Sequence, residues 1–475
     1  MSFLADAGLV AEALDRYHDQ SIGAAGPVIN QQPLAQIVQD LQLDSLAREG
    51  GLAGPQLEAF VEQYLAVTTR LHHPRYMAHQ VAAPHHAGAL GSLIDGFTNN
   101  AMSIYEMGPG AATIEYFVVN WLLKKVGWQP APLDIGMRST ETEFAGGVLT
   151  NGGSLANLTA LLIARNRAAP DAWETGVPPD LVLLASPESH YSITRAAGML
   201  GLGQRAIQHL DVDQMGVVRP ERLGETCRRL REDGKRPIAM VANACSTAIG
   251  LYDPLAEIAA FCREHGIWLH VDGAHGASAL LSERHRRLLR GVEQADSLTW
   301  DAHKMLQTPT LCAALLVRDH RDLDAAFQQE ASYLFHEKEQ PGFDFANRSF
   351  ECTKAGLGLR FFMVLGALGE RALADHVDRT WQLAQDAFEL ISQQENFACA
   401  ARPQANIVCF RIKGSDQQQL HIRDTLNKAG TFYLSSTLFA GRRFLRIVLM
   451  NGQTSLDDIR QLIEAVRRVA AAMAG

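Results

Sequence analysis

No apolar run in this chain reaches the roughly 18 to 20 residues that span a bilayer, so no membrane helix is expected. There is no long basic block either. The 52 acidic residues outnumber the 43 basic ones, the formal net charge is −9, and nucleic-acid binding is not expected. That acidity excludes little about a substrate, because one pocket can be cationic within an anionic surface. Cysteine is sparse: Cys227, Cys245, Cys262, Cys312, Cys352, Cys399 and Cys409 make an odd seven, with no CxxC. Several sit inside apolar runs, where a thiol behaves as a small hydrophobe, and a reducing cytoplasm is the compartment that fits. The opening Met-Ser-Phe-Leu-Ala-Asp lacks a basic segment followed by a long apolar core, so no signal peptide is expected. Internal repeats, low-complexity segments, a Walker-type lysine loop and a GxGxxG after the first strand are all missing, which weighs against nucleotide binding. What remains is 475 residues, 47% hydrophobic and 20% charged, enough for two or three packed globular units.

The texture changes along the chain. Residues 1–88 read as a helical N-terminal arm, with Leu9, Val10 and Leu14, then Leu57, Phe60, Val61, Tyr64 and Leu65, near helical spacing. An arm so poor in core partners suits packing on another subunit. Residues 89–355 alternate strands and helices and predict an α/β domain with a mostly parallel sheet. The strands expected there are Gly147–Thr150, Leu181–Ala185, Ile207–Leu210, Ile238–Ala242, Ile267–Val271, Ser297–Trp300 and Ala313–Val317. Residues 356–475 read as a small C-terminal α+β domain with strands at Ile407–Ile412 and Phe444–Leu449. His72, His73, His79, His85 and His86 crowd one segment, but no HxxxH pair lies in a clear helical frame and no metal is expected.

One stretch organises the rest. Ile267-Trp-Leu-His-Val-Asp272 and Ser297-Leu-Thr-Trp-Asp-Ala-His-Lys304 are strands that end in chemistry. In an open α/β sheet, strand carboxyl ends face the ligand crevice. An aspartate and a lysine delivered there suit pyridoxal phosphate (PLP): the amine condenses with the aldehyde and the carboxylate keeps the pyridine nitrogen protonated. A core salt bridge would place the same two residues, so other strands must decide. Thr150-Asn-Gly-Gly-Ser-Leu-Ala-Asn157 leaves a strand and opens a helix, where Ser154 and free N–H groups can hold an anion or simply cap a turn. Ser189-His-Tyr-Ser192 brings His190, able to stack on a ring or to cap a helix. Cys245-Ser-Thr-Ala-Ile-Gly250 brings Thr247, a ring or phosphate donor or a turn residue. Together Ser154, His190, Thr247, Asp272 and Lys304 follow five separate strands and cover every part of the cofactor.

These residues, with His73-Pro-Arg-Tyr76, Tyr105-Glu106, Pro109, Asp253-Pro254 and Trp300-Asp-Ala-His-Lys-Met305, carry a resemblance. The chain resembles the group II PLP-dependent amino-acid decarboxylases, which act on glutamate, cysteine sulfinate, diaminobutyrate and aromatic amino acids. The resemblance implies PLP fold type I and a homodimer. It implies that Lys304 is the Schiff-base lysine, Asp272 the pyridine partner, His190 the stacking residue and Thr247 a ring-side contact. It further implies that Gly153, Ser154 and His303 contact the phosphate and that Ala274 packs on the ring. Arg446 matches an arginine that pairs with a substrate carboxylate, and His79 and Gln80 fall where the substrate's distal group is met.

The expectation is therefore PLP-dependent α-decarboxylation of an L-amino acid, acidic or diamino, to an amine and CO₂. The other readings are a transaminase, lyase or aldehyde-forming relative, and a non-catalytic member that regulates by dimerising. Retention of Lys304, Asp272 and His190 weighs against the last. Four departures from the family pattern stand out. His275 replaces an aromatic, Cys245-Ser-Thr replaces a glycine-threonine run, the basic motif is reduced to Cys352-Thr-Lys-Ala-Gly356, and residues 336–350 contain no tyrosine. That last stretch leaves His336 or His275 as candidate acids for returning a proton to Cα.

Overall fold

Leu181–Ala185 is apolar at every position, and such a strand is stable only with both faces covered. All five residues are buried. This strand, β2, belongs to a seven-stranded sheet. Its other members are β1 (Gly146–Thr150), β3 (Ile207–His209), β4 (Arg236–Asn243), β5 (Trp268–Asp272), β6 (Ser297–Asp301) and β7 (Ala313–Val317). The order is β1-β7-β6-β5-β4-β2-β3. Neighbours from β3 to β6 are parallel, whereas β7 runs antiparallel to both β6 and β1. Two reversals cancel, so β1 points the same way as β6. The carboxyl ends of β1, β2, β4, β5 and β6 therefore share one edge. The expected mostly parallel α/β fold is present, and each expected strand recurs within two residues of its place.

The computed structural model describes residues 2–132, 143–327, 342 and 344–473. The chain groups into two compact units, Met1–Ala83 with Thr380–Gly475, and Pro84–Arg379, whereas the sequence reading drew boundaries at 88 and 355. The first grouping has a visible cause. The Met77 N–H donates to Tyr433 O at 2.9 Å and the Val448 N–H donates to Met77 O at 2.8 Å, so the N-terminal segment is bonded into the C-terminal sheet. Met77 then packs with Phe410, Ile447 and Leu462 in that unit's core. The sheet there is antiparallel, in the order β10-β11-β9-β8, with β8 Phe397–Cys399, β9 Ile407–Ile412, β10 Ser435–Phe439 and β11 Arg442–Val448. The helices Asp416–Lys428 and Leu456–Ala472 each open with a reciprocal cap, Ser415 with Gln418 and Ser455 with Asp458.

In the larger unit, the helix Pro109–Val126 is fastened to β1 by charge. Glu115 Oε1 accepts from the Leu149 N–H at 3.0 Å, and Glu115 Oε2 lies 2.8 Å from Lys354 Nζ. Both side chains are fully buried. Removing either would strand the other's charge in the interior at a cost of about 3–5 kcal/mol. Lys354 is the lysine of the reduced basic motif, so in this chain that motif holds the core. Of the stretch 336–350, residues His336 to Pro341 and Phe343 lie outside the described residues. Among the described residues, no helix is long and apolar enough to cross a membrane.

Candidate active site

Asp272 ends β5, paired in register with Asn243 of β4 and Thr299 of β6. Its carboxylate is buried, and its two oxygens accept from neutral donors: Oδ2 from Asn157 Nδ2 at 2.9 Å and Oδ1 from the Ala274 N–H at 3.2 Å. Among the described residues, Asp272 has no ion-pair partner. A buried carboxylate of that kind lacks a cation. The turn beyond it is tied down on both sides. The Ala244 N–H donates to Asp272 O at 2.8 Å, the Gly276 N–H to Ala244 O at 3.0 Å, and the Asp301 N–H to Ala274 O at 3.1 Å. Gly276 has no room for a side chain, since a Cβ would lie 2.7 Å from both Ala244 O and Cys245 N. These bonds hold the turn that bears Thr247 beside the one that bears Ala274.

Lys304 follows β6 by one tight turn. Its Nζ lies 3.1 Å from Asp301 Oδ2, and its side chain keeps 19% exposure, so the amine is reachable. Asp301 Oδ1 is buried and has no hydrogen-bond partner among the described residues. The Asp301 carboxylate presses on the start of the helix Gly153–Ala168, where a Cβ at position 153 would come within 2.8 Å of Oδ1. That contact is why glycine occupies 153. The helix start there leaves its first amides without acceptors inside the helix, while Ser154 is exposed beside them. His303 is buried, and its Nδ1 lies 2.8 Å from Cys312 O, which fixes the ring.

His190 caps the helix Tyr191–Met199, with its Nδ1 facing the Ser192 hydroxyl at 2.8 Å and the Ser192 N–H at 3.3 Å. Burial holds its imidazole below the ordinary histidine value. Asp272 and Asp301 pull that value up, and Lys304 and Arg195 push it down. His190 thus lies within the electrostatic reach of both Asp272 and Lys304. The described geometry brings Gly153, Ser154, His190, Thr247, Asp272, Ala274, His303 and Lys304 to one edge of the sheet. His79, Gln80 and Arg446 lie together in the other unit. Arg446 Nη2 donates to Gln80 Oε1 at 3.2 Å and Nη1 to Ala78 O at 3.2 Å, while His79 Nε2 lies 3.0 Å from Tyr433 Oη. The remaining histidines of that segment have local duties, such as His73 Nδ1 accepting from the Arg75 N–H and His85 Nδ1 from the Ala87 N–H.

The donor set fits PLP. Lys304 can take the aldehyde, and a protonated pyridine nitrogen would supply the cation that Asp272 lacks among the described residues. His190 can face the ring, and the start of the helix Gly153–Ala168 can take the phosphate. Bound there, PLP supplies a sink for the electron pair left on Cα when CO₂ departs. Fold and site together define a fold type I PLP enzyme. The pyridoxal-dependent decarboxylase conserved domain matches residues 53–413. Acidic amino acid decarboxylase GADL1 of Mus musculus is 30% identical over 456 residues, 92% of this chain and 80% of that protein. Cysteine sulfinic acid decarboxylase of Rattus norvegicus is 32% identical over 454 residues, 90% and 88% of the two chains. The crystal structure of mouse CSAD superposes with a TM-score of 0.87 at 26% identity, covering 99% of each chain. The chain belongs to the pyridoxal-dependent decarboxylase family. It is a PLP-dependent amino-acid decarboxylase, a lyase.

Sequence reasoning assigned no role to Asp301, Asn157, His270 or Ser192. Asn157 is the instructive omission. It is a wholly buried amide four residues into a helix whose neighbours Ala156, Leu158 and Ala160 are apolar, and a polar residue in such a place needs several partners.

Proposed function

We propose that this enzyme decarboxylates an L-amino acid with an acidic side chain. In this reading Lys304 binds the cofactor aldehyde, Asp272 holds the ring nitrogen, and His190 and Ala274 flank the ring. Thr247 contacts its edge, and Gly153, Ser154 and His303 hold the phosphate. The observation that carries the substrate class is the buried Arg446 guanidinium, fixed by Ala78, Ser435 and Gln80. These contacts hold the guanidinium in place, and its planar fork of donors matches a carboxylate. His79 is kept mostly neutral by burial and by Arg446, so it offers the distal group a hydrogen bond rather than a second charge. The relatives' names, an acidic amino acid decarboxylase and a cysteine sulfinic acid decarboxylase, support the same class. Arg446→Met should raise KM for an acidic substrate about 10- to 100-fold, the loss of one charge-assisted pair, with bound PLP unchanged. A KM within threefold of wild type would remove Arg446 from the site.

We further propose that it works as a homodimer in the cytoplasm. Leu90, Leu93, Ile94 and Phe97 are all exposed on the helix His86–Thr98, at i, i+3, i+4 and i+7, which makes one continuous apolar stripe. That helix starts against the loop after Lys304, where the His85 N–H donates to Gln307 O at 2.9 Å. A second subunit on the stripe would brace the catalytic loop. Phe3, Leu4 and Leu34 are exposed apolar residues of the N-terminal helical segment and suit the same use. The cytoplasmic assignment is supported by seven cysteines that are all free thiols. The double substitution Leu93→Glu and Phe97→Glu should give a monomer by sedimentation at micromolar concentration, with activity down at least about tenfold. A dimer of unchanged affinity would place the interface elsewhere.

A further inference from the structure

Behind the reactive residues lies a closed polar network, and its proton directions can be worked out from one fixed point. Asn157 Nδ2 lies 2.9 Å from Asp272 Oδ2 and 2.9 Å from Ser192 Oγ. An ionised carboxylate only accepts, so the amide nitrogen must face Asp272, and Asn157 Oδ1 must face the other way. That oxygen receives Thr299 Oγ1 at 2.7 Å and His270 Nε2 at 3.0 Å. His270 is fully buried, and burial brings its pKa down to about 4, so the ring is neutral with its one proton on Nε2. Its Nδ1 must then accept from the Ser297 hydroxyl at 2.9 Å, while Ser297 Oγ accepts from Trp268 Nε1 at 2.9 Å. On the other side, Ser192 Oγ accepts the second amide hydrogen of Asn157. Its own hydroxyl hydrogen goes to His190 Nδ1. Neutral His190 then carries its proton on Nε2, the nitrogen not committed to Ser192.

We propose that Asn157 is a positioning residue that sets two features at once: the orientation of the Asp272 carboxylate and the direction of the Ser192 hydroxyl, which joins the Ser192 N–H in donating to His190 Nδ1 and holding that ring. One amide passes donors to both, and the Thr299–His270–Ser297–Trp268 arm prevents it from turning over. The inference rests on the roles proposed for Asp272 and His190 and is independent of which amino acid is the substrate.

Asn157→Asp tests it, because the shape is kept and the donor is lost. The groups facing position 157 are Asp272 and His270 from β5, Thr299 from β6 and Ser192 ahead of His190. The introduced carboxyl can replace the amide only while protonated toward Asp272. Burial and the Asp272 charge both favour that protonated form, so low pH sustains the site and rising pH ionises it. The kcat/KM of this variant, relative to wild type at each pH, should fall at least about tenfold between pH 6 and pH 8. The visible circular dichroism of bound PLP should change over the same interval. Ser192→Ala tests the other branch. It leaves the Asn157–Asp272 bond intact, so PLP affinity should stay within about threefold while kcat/KM falls about tenfold or more.

A merely structural Asn157 would lower activity by the same factor at every pH and leave the dichroism of the folded fraction alone, and that result would overturn the proposal. If Asn157→Asp does not fold, Ser192→Ala decides by itself, and wild-type kcat/KM would refute the coupling to His190. A silent Asn157→Asp beside an inactive Asp272→Asn would condemn Asn157 alone. A fully active Asp272→Asn would condemn the underlying reading of the site.

Discussion

Asp272→Asn is expected to lower kcat by roughly 10³-fold or more, about 4 kcal/mol of transition-state stabilisation, with PLP still bound. The reasoning is electrostatic. Asp272 is buried, and among the described residues its oxygens accept from the Asn157 amide and the Ala274 N–H. Nothing among those partners is cationic, so its charge remains for a protonated pyridine nitrogen. An amide of the same shape keeps the space filled and offers no charge, and the ring nitrogen then loses its proton near neutral pH. Carbon–carboxylate cleavage leaves an electron pair that a neutral ring accepts poorly. Absorbance and dichroism would report bound cofactor while turnover collapses. A variant within about tenfold of wild type, only some 1.4 kcal/mol, would contradict the role.

Lys304→Ala should show a loss of similar size by a different route. The amine at residue 304 sits 3.1 Å from Asp301 Oδ2 and is partly exposed, and alanine leaves nothing to bind the aldehyde covalently. Borohydride treatment of the wild-type holoenzyme followed by peptide mapping should place the label on the peptide containing Lys304, and the variant should carry none. Its turnover should fall by at least about 10³-fold, since substrate must then displace no enzyme amine yet product has none to release it. Label at any other lysine would sink the assignment.

How far the sequence foretold this site differs from residue to residue, for physical reasons. Lys304 and Asp272 were legible because Asp272 ends a buried strand and Lys304 follows another by one turn, and strand ends in a parallel sheet face one edge. The two strands that escaped notice, β8 and β10, are both edges of the small sheet. Phe397–Cys399 is only three residues long and Ser435–Phe439 is largely half-exposed, so neither carries an apolar signal. Residues 76–78 fall within the stretch read as a helical arm, yet Met77 is bonded to Tyr433 and Val448, and a pairing across more than 350 positions leaves no local trace. Asn157 stood inside a quoted motif but gained meaning only when Asp272, Ser192, His270 and Thr299 were seen around it. Lys354 looked like the remnant of a reduced basic motif, because charge alone does not reveal that Glu115 waits in the core.

The most direct test of the whole account is product stoichiometry. Purified holoenzyme would be offered a panel of L-amino acids, acidic, diamino, aromatic and neutral, with CO₂ and organic product measured together. The account predicts one CO₂ and one amine per substrate consumed, with acidic substrates preferred by at least about tenfold in kcat/KM. Consumption of an amino acid without CO₂, giving a 2-oxo acid instead of an amine, would contradict it.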